Sequence, residues 1–249
     1  MGETMIAPPM LEDEPSDSFL SRAIGVFVSP ARTFESIARR PDFIAPLIVA
    51  IVGAYALIEA MLQKIGAGRI VRQSLEISGK AAQMTPEQLD QTVARASTIT
   101  ALIMRVGAVI GVPIFLLIIA AVGLLIANLI FGASVNFKTA FSVVCYANLV
   151  LQVGVILGLF IVFMGDPEQF NPENPVPTTV AFFLNPRETS KVVYAIASSF
   201  DIFRVWFIVL TSLGLSIAMN RRVGTMAIFL TFLVIWVLIV LGKAGMAAI

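Results

Sequence analysis

"SSFDIFRVWFIVLTSLGLSIAMNRR" (residues 198–222) decides the fold class. From Phe200 to Met219 it holds two charges, Asp201 and Arg204, both in its opening turn. The rest is almost wholly apolar and ends on Asn220-Arg221-Arg222. About 20 apolar residues at ~1.5 Å each cross ~30 Å of hydrocarbon. The stretch therefore reads as a membrane span bounded by charge at both ends. Phe203 and Trp206 flank Arg204 at the depth where aromatic side chains meet lipid headgroups.

The whole chain follows the same pattern. Of its 249 residues, 58% are hydrophobic and 13% charged. The mean hydropathy is +0.91. A soluble domain carries nearer a quarter charged residues, so an integral membrane protein is expected. The net charge of +1 gives no reason to expect nucleic acid as a partner. Histidine is absent, which removes the commonest metal ligand and the usual proton shuttle. Cys145 is the single cysteine and lies in an apolar run, where it reads as an inert small hydrophobe.

Residues 1–17 carry five acids, several prolines and no Lys or Arg, the composition of a disordered acidic tail. No basic start followed by an early apolar stretch marks a secretory signal. Residues 18–44 read as two short amphipathic helices. Phe19, Ile24 and Phe27 share one side of the first, which Ser16 or Asp17 can cap. Ser29 caps the second, with Pro30 at its first helical position and Phe34 on its apolar side. It should stop before Pro41. Arg32, Arg39 and Arg40 suit lipid headgroups, so this segment is expected to lie in the interface. Packing on the protein's own loops is the alternative.

Residues 45–249 form the membrane domain, an all-α bundle of five spans at about 45–62, 105–131, 139–164, 200–219 and 224–241. The first and fifth are the shortest. Thr85, Pro86 and Gln88 make a capping box that starts a long helix running into span two. Pro113 should kink that span. Arg39, Arg40, Lys138, Arg221 and Arg222 share one side, which the positive-inside rule assigns to the cytoplasm. Lys64, Arg69 and Arg72 on the other side argue the opposite. Short basic turns weigh more, so the N-terminus is expected in the cytoplasm.

That topology puts Glu59, Arg105, Gln152, Asp201 and Arg204 in the outer half of the bundle. Two acids and two bases there form either a polar pocket or a boundary of charges at span ends. Asp201 and Arg204, three apart, share a helical face and can pair. Gly107 with Gly111 and Gly154 with Gly158 are two GxxxG steps, suited to close helix packing within the chain or between copies. Asn148 and Gln152 share one side of span three, as interhelical hydrogen bonds require.

No phosphate-cradling loop, G-x-S-x-G elbow, calcium loop or metal-ligand spacing is present, and no catalytic residue, cofactor or metal is expected. Three stretches carry a family resemblance: "FVSPARTFESIARRPDF" (27–43), "FGASVNFKTAFSVVCYANL" (131–149), and "FDIFRVWFIVLTSLGLSIAMNRR" with "GTMAIFLTFLVIWVLIVL" (200–241). Gly132, Phe137, Lys138, Phe141, Tyr146, Asp201, Phe203 and Trp206 stand in register. The three stretches are spread, in order, through residues 19–241. In order and spacing they resemble the YIP family of Ypt/Rab-interacting membrane proteins, in its bacterial branch. Members often carry a proline after the "YAxL" step, where this chain has Val150, so a straighter third span is expected.

The resemblance implies a five-span domain with a cytoplasmic N-terminal region, a short far-side tail and no enzyme activity. Eukaryotic members are linked to Rab GTPases, but no GTPase-binding motif is matched here. The expectation is a non-enzymatic scaffold or adaptor in a bacterial cytoplasmic membrane. Its partners would be the lipid bilayer and another membrane protein or a second copy. A small transporter, channel or lipid-handling protein built on the polar cluster is the alternative.

Overall fold

The computed structural model describes residues 18–165, 176, 178–186 and 188–247. The acidic tail at 1–17 and part of the 165–190 loop lie outside the described residues.

Two short helices come first, α1 (Phe19–Val28) and α2 (Pro30–Arg39). Ser18, one residue later than expected, caps α1 by accepting from the Ser21 N–H at 3.2 Å. Ser29 occupies the cap position of α2 but makes no side-chain cap bond. Instead its carbonyl accepts from both the Thr33 N–H and the Thr33 hydroxyl. α2 ends at Arg39, ahead of Pro41, as the proline demands.

α3 (Ile44–Lys64) is the first long apolar helix. Gly66 at φ 88° turns the chain into α4 (Ala67–Ile77). The capping box at Thr85 and Gln88 forms in both directions, at 2.9 and 3.3 Å. It opens a continuous helical rod over Pro86–Ile130, about 68 Å long at ~1.5 Å per residue. The rod comprises α5 (Pro86–Val106), a π turn at Gly107–Gly111, α6 (Val112–Leu124) and a second π turn at Leu125–Ile130. The first π turn lies just before Pro113, which has no N–H and crowds the preceding turn. The wider turn gives that ring room.

The third apolar helix is α7 (Phe137–Ala147) continued by α8 (Leu149–Met164). It is less uniform than expected from Val150. The helix tightens at Asn148, whose carbonyl accepts from the Leu151 N–H at 2.9 Å. α9 (Lys191–Ala197) is a short helix, followed by α10 (Ile202–Ala218) and α11 (Thr225–Ala247). The last helix is longer than expected, running on to Ala247. Asn220 and Arg221 adopt positive φ in the turn between α10 and α11.

Four described helices are long and apolar enough to cross a membrane; α10, at 17 residues, is a shorter apolar helix. α3 packs along α8, α6 along α7, and α10 against α2, α7, α8 and α11. Val143, Val144, Leu210, Leu215 and Ile228 fill the centre. Large apolar residues such as Ile48, Ile118, Phe160 and Leu238 face outward, the surface a lipid solvent requires.

The N-terminal helices are amphipathic, and part of their apolar surface is buried against the chain itself. They fold back on each other and pack into the bundle. Val26, Phe34 and Ile37 are fully buried. A Cβ at Gly214 would sit 2.4 Å from Val143 Cγ1 and 2.9 Å from the Phe34 ring. Glycine at 214 thus lets α2 and α7 close on α10. Such packing rests on dispersion at close approach, the main attraction between helices that share a lipid solvent.

Candidate functional site

The far end of the bundle, where α3 ends and α10 begins, holds the sequence-derived polar residues. Arg105 clasps Glu59 in two contacts, at 2.5 and 3.2 Å, joining the rod to α3. Asp201 is used otherwise. Its Oδ1 accepts from the N–H groups of Phe203 and Arg204 at 2.8 and 3.0 Å, which caps α10. Its Oδ2 accepts from the Thr178 hydroxyl at 2.6 Å.

Backbone bonds from Val180 N–H to the Phe200 carbonyl and from Ile202 N–H to the Thr178 carbonyl pin the same segment to the helix start. The expected pairing of the Arg204 and Asp201 side chains does not occur among the described contacts. Arg204 meets Asp201 through its backbone N–H, because a carboxylate at an N-cap turns toward the free amides of the first turn. Gln152 donates to Asn148 at 3.3 Å within its own helix. Its Oε1 also lies 2.2 Å from where a Cβ on Gly53 would stand. Glu59 and Arg105 thus form one unit and Asp201 another, and no described contact joins the two.

The glycine steps separate as well. Gly154 faces Phe203, and Gly158 faces Leu57 and Val176, so both serve packing inside the chain. A Cβ at Gly107 or Gly111 would meet nothing within 4 Å.

The residues expected at an interface also part company. Phe19 lies against Tyr146, ring centres 6.2 Å apart, and Phe27 meets Trp206 edge-on at 5.8 Å. Ile24 is exposed and Phe34 is core.

Residues that sequence reasoning did not connect form a polar network around a nearly buried arginine and a buried tyrosine. Arg22, only 4% exposed, donates to Asp42 at 2.7 Å and to the Arg40 carbonyl at 2.9 Å. The hydroxyl of Tyr146, itself fully buried, donates to the other Asp42 oxygen at 2.7 Å. A tyrosine inside an apolar span needs a partner for its hydroxyl, and that was the available signal. Nearby, Arg221 donates to Glu35 at 2.9 Å. A recess of about 280 Å³ opens beside that pair, lined by Arg39, Asn136, Thr139 and Asn220 among others. It sits at the basic end, and none of Glu59, Arg105, Gln152, Asp201 and Arg204 lines it.

The sequence matches the family model of the Yip1 domain over residues 24–244. The chain belongs to the Yip1 family. Membrane protein YknW of Bacillus subtilis is 28% identical to it over 192 residues, covering 77% of this chain and 75% of that protein. No solved structure matches. The Yip1 match begins within α1 and ends near the close of α11, so the helices that carry Phe34 and Asp42's partner Arg22 belong mostly to the family's domain. This Yip1-family chain is an integral membrane protein with a relative in a bacterium.

Proposed function

We propose that this Yip1-family protein is a non-enzymatic membrane scaffold that associates laterally with a second copy or another membrane protein. In this reading all five apolar helices span a bacterial cytoplasmic membrane, α10 included, with the N-terminus in the cytoplasm. Arg39, Arg40, Lys138, Arg221 and Arg222 gather near one end of the bundle, which supports that orientation.

The observation that carries the proposal is the open glycine face at Gly107 and Gly111. Gly154 and Gly158 are filled by the chain's own side chains, whereas this pair has no neighbour above it. Exposed Ile103, Ile110 and Ile114 flank it. A shallow groove between large apolar residues is the shape that lets a second helix approach closely.

Cysteine crosslinking from Ile110→Cys in native membranes tests it. Capture of a discrete partner or a dimer, lost on Gly107→Leu and Gly111→Leu, is expected. A lone monomer with no crosslinked product overturns it. The transport or lipid-handling reading draws no support from the geometry, because its polar residues divide into separate pairs and the described recess lies at the opposite end.

A further inference from the structure

We infer that the α1–α2 hairpin is a re-entrant element that dips into the bilayer from the basic end and lays its outer face against acyl chains. α2 packs along α10, and the hairpin touches that helix at three levels. Glu35 bonds Arg221 just beyond its end, Phe34 packs on Gly214 in its last turns, and Phe27 meets Trp206 near its start. Trp206 and Gly214 are eight residues apart, about 12 Å along a helix. α1 also packs on α3 and on α8, beyond the Asn148 step. Val26 shares its buried cluster with Val150 and Phe207.

The tip meets part of its own hydrogen-bonding need. Backbone groups in lipid must be satisfied internally. The Ser29 N–H donates to the Gly25 carbonyl at 2.8 Å, Pro30 has no N–H, and the Ser29 carbonyl accepts twice from Thr33. Gly25 permits that tightness, since a Cβ there would lie 2.3 Å from Thr33 Oγ1.

The outer face is a stripe at four-residue spacing: Leu20, Ile24 and Val28, exposed by 66, 55 and 74%. It adjoins α3, whose Ile48 and Val52 are exposed in the same way, so it continues the belt that the long helices present to lipid. Charge collects at the base, in Arg22, Asp42, Arg39 and Arg40. The exposed Arg32 is nearer the tip, and its long apolar stem lets the guanidinium reach toward headgroups.

The inference goes beyond the scaffold reading but rests on α10 spanning the bilayer, so the test must separate the two. In a Cys145→Ala background, Ile24→Cys and Val28→Cys are spin-labelled in phosphatidylethanolamine–phosphatidylglycerol vesicles. Each is scored for accessibility to oxygen against a water-soluble nickel chelate. Val209→Cys marks mid-α10 and Arg222→Cys the aqueous turn.

The expected result is the same oxygen preference at residues 24 and 28 as at 209. Nickel accessibility like that at residue 222, with 209 still lipidic, overturns the re-entrant hairpin and leaves the span. Nickel accessibility at 209 as well overturns both. Labels at 24 and 28 reached by neither reagent mean that protein covers the stripe, and that also overturns the inference. All the labelled positions are exposed, and thermal unfolding of each variant confirms the fold is kept.

Discussion

The Tyr146 hydroxyl donates to the Asp42 carboxylate at 2.7 Å, tying together residues 104 apart in the chain. The other oxygen of Asp42 receives Arg22 at 2.7 Å. One carboxylate therefore joins α1, the entry to α3 and the third apolar helix. Asp42→Ala removes both bonds at once, and because Asp42 is itself half exposed while Arg22 is nearly buried, it should cost about 2–3 kcal/mol. Tyr146→Phe removes one bond to a charged acceptor and should cost about 1.5–3 kcal/mol. Thermal unfolding in mild detergent checks both. Asp42→Ala is expected to lower the midpoint more than Tyr146→Phe, and equal midpoints would contradict the network.

That network marks the limit of what the sequence discloses. The apolar periods of the long helices, the capping box at Thr85 and Gln88, and the rod it starts were all legible, because each is local. The fate of residues 18–44 was not. An apolar stripe looks the same whether lipid or protein covers it, so Phe34 in the core and Ile24 on the surface carried equal signals. Arg22 and Asp42 are twenty residues apart on different segments, and no spacing rule joins them. Asp201 and Arg204 failed the opposite way. Their spacing suits a side-chain pair, yet the cap competes for the same carboxylate and wins. The glycines were legible as a motif, but only the fold shows which pair is filled.

Gly214 and Gly107 should respond oppositely to substitution. Gly214→Val drives a branched side chain into Val143 and Phe34, and overpacking of this kind costs about 1–3 kcal/mol. It should also loosen α2, read as faster proteolysis within residues 18–44. Gly107→Ala meets open space and should leave the unfolding midpoint unchanged while weakening lateral crosslinking. A stability loss at Gly107 as large as that at Gly214 would show that the open face is occupied by the chain itself.

Glu59 and Arg105 should behave as one exchangeable unit. Their contact joins α3 to the rod near the exit of both helices from the apolar zone. Glu59→Arg alone places two cations together and should lower the yield of folded protein in membranes. The double exchange Glu59→Arg with Arg105→Glu restores opposite charges and should recover it. Fluorescence-detected size exclusion of the two single variants and the double variant reads the outcome. Failure of the double exchange to recover would mean that the residues act separately, as a pocket with its own ligand would require.

Asp201 should matter through its cap and Arg204 hardly at all. Asp201 Oδ1 serves two backbone amides, and Oδ2 holds Thr178. Replacing an N-cap acid with a residue that cannot accept costs about 1 kcal/mol, with a range of ~0.5–2. Asp201→Leu should therefore lower the unfolding midpoint and free the 178–180 segment to protease. Asp201→Asn keeps an acceptor for the helix amides and should recover most of the loss. Arg204→Gln keeps the backbone N–H that meets the carboxylate, so its midpoint should match the parent's. If Arg204→Gln were as destabilising as Asp201→Leu, the side-chain ion pair would be the operative contact and the cap a minor one.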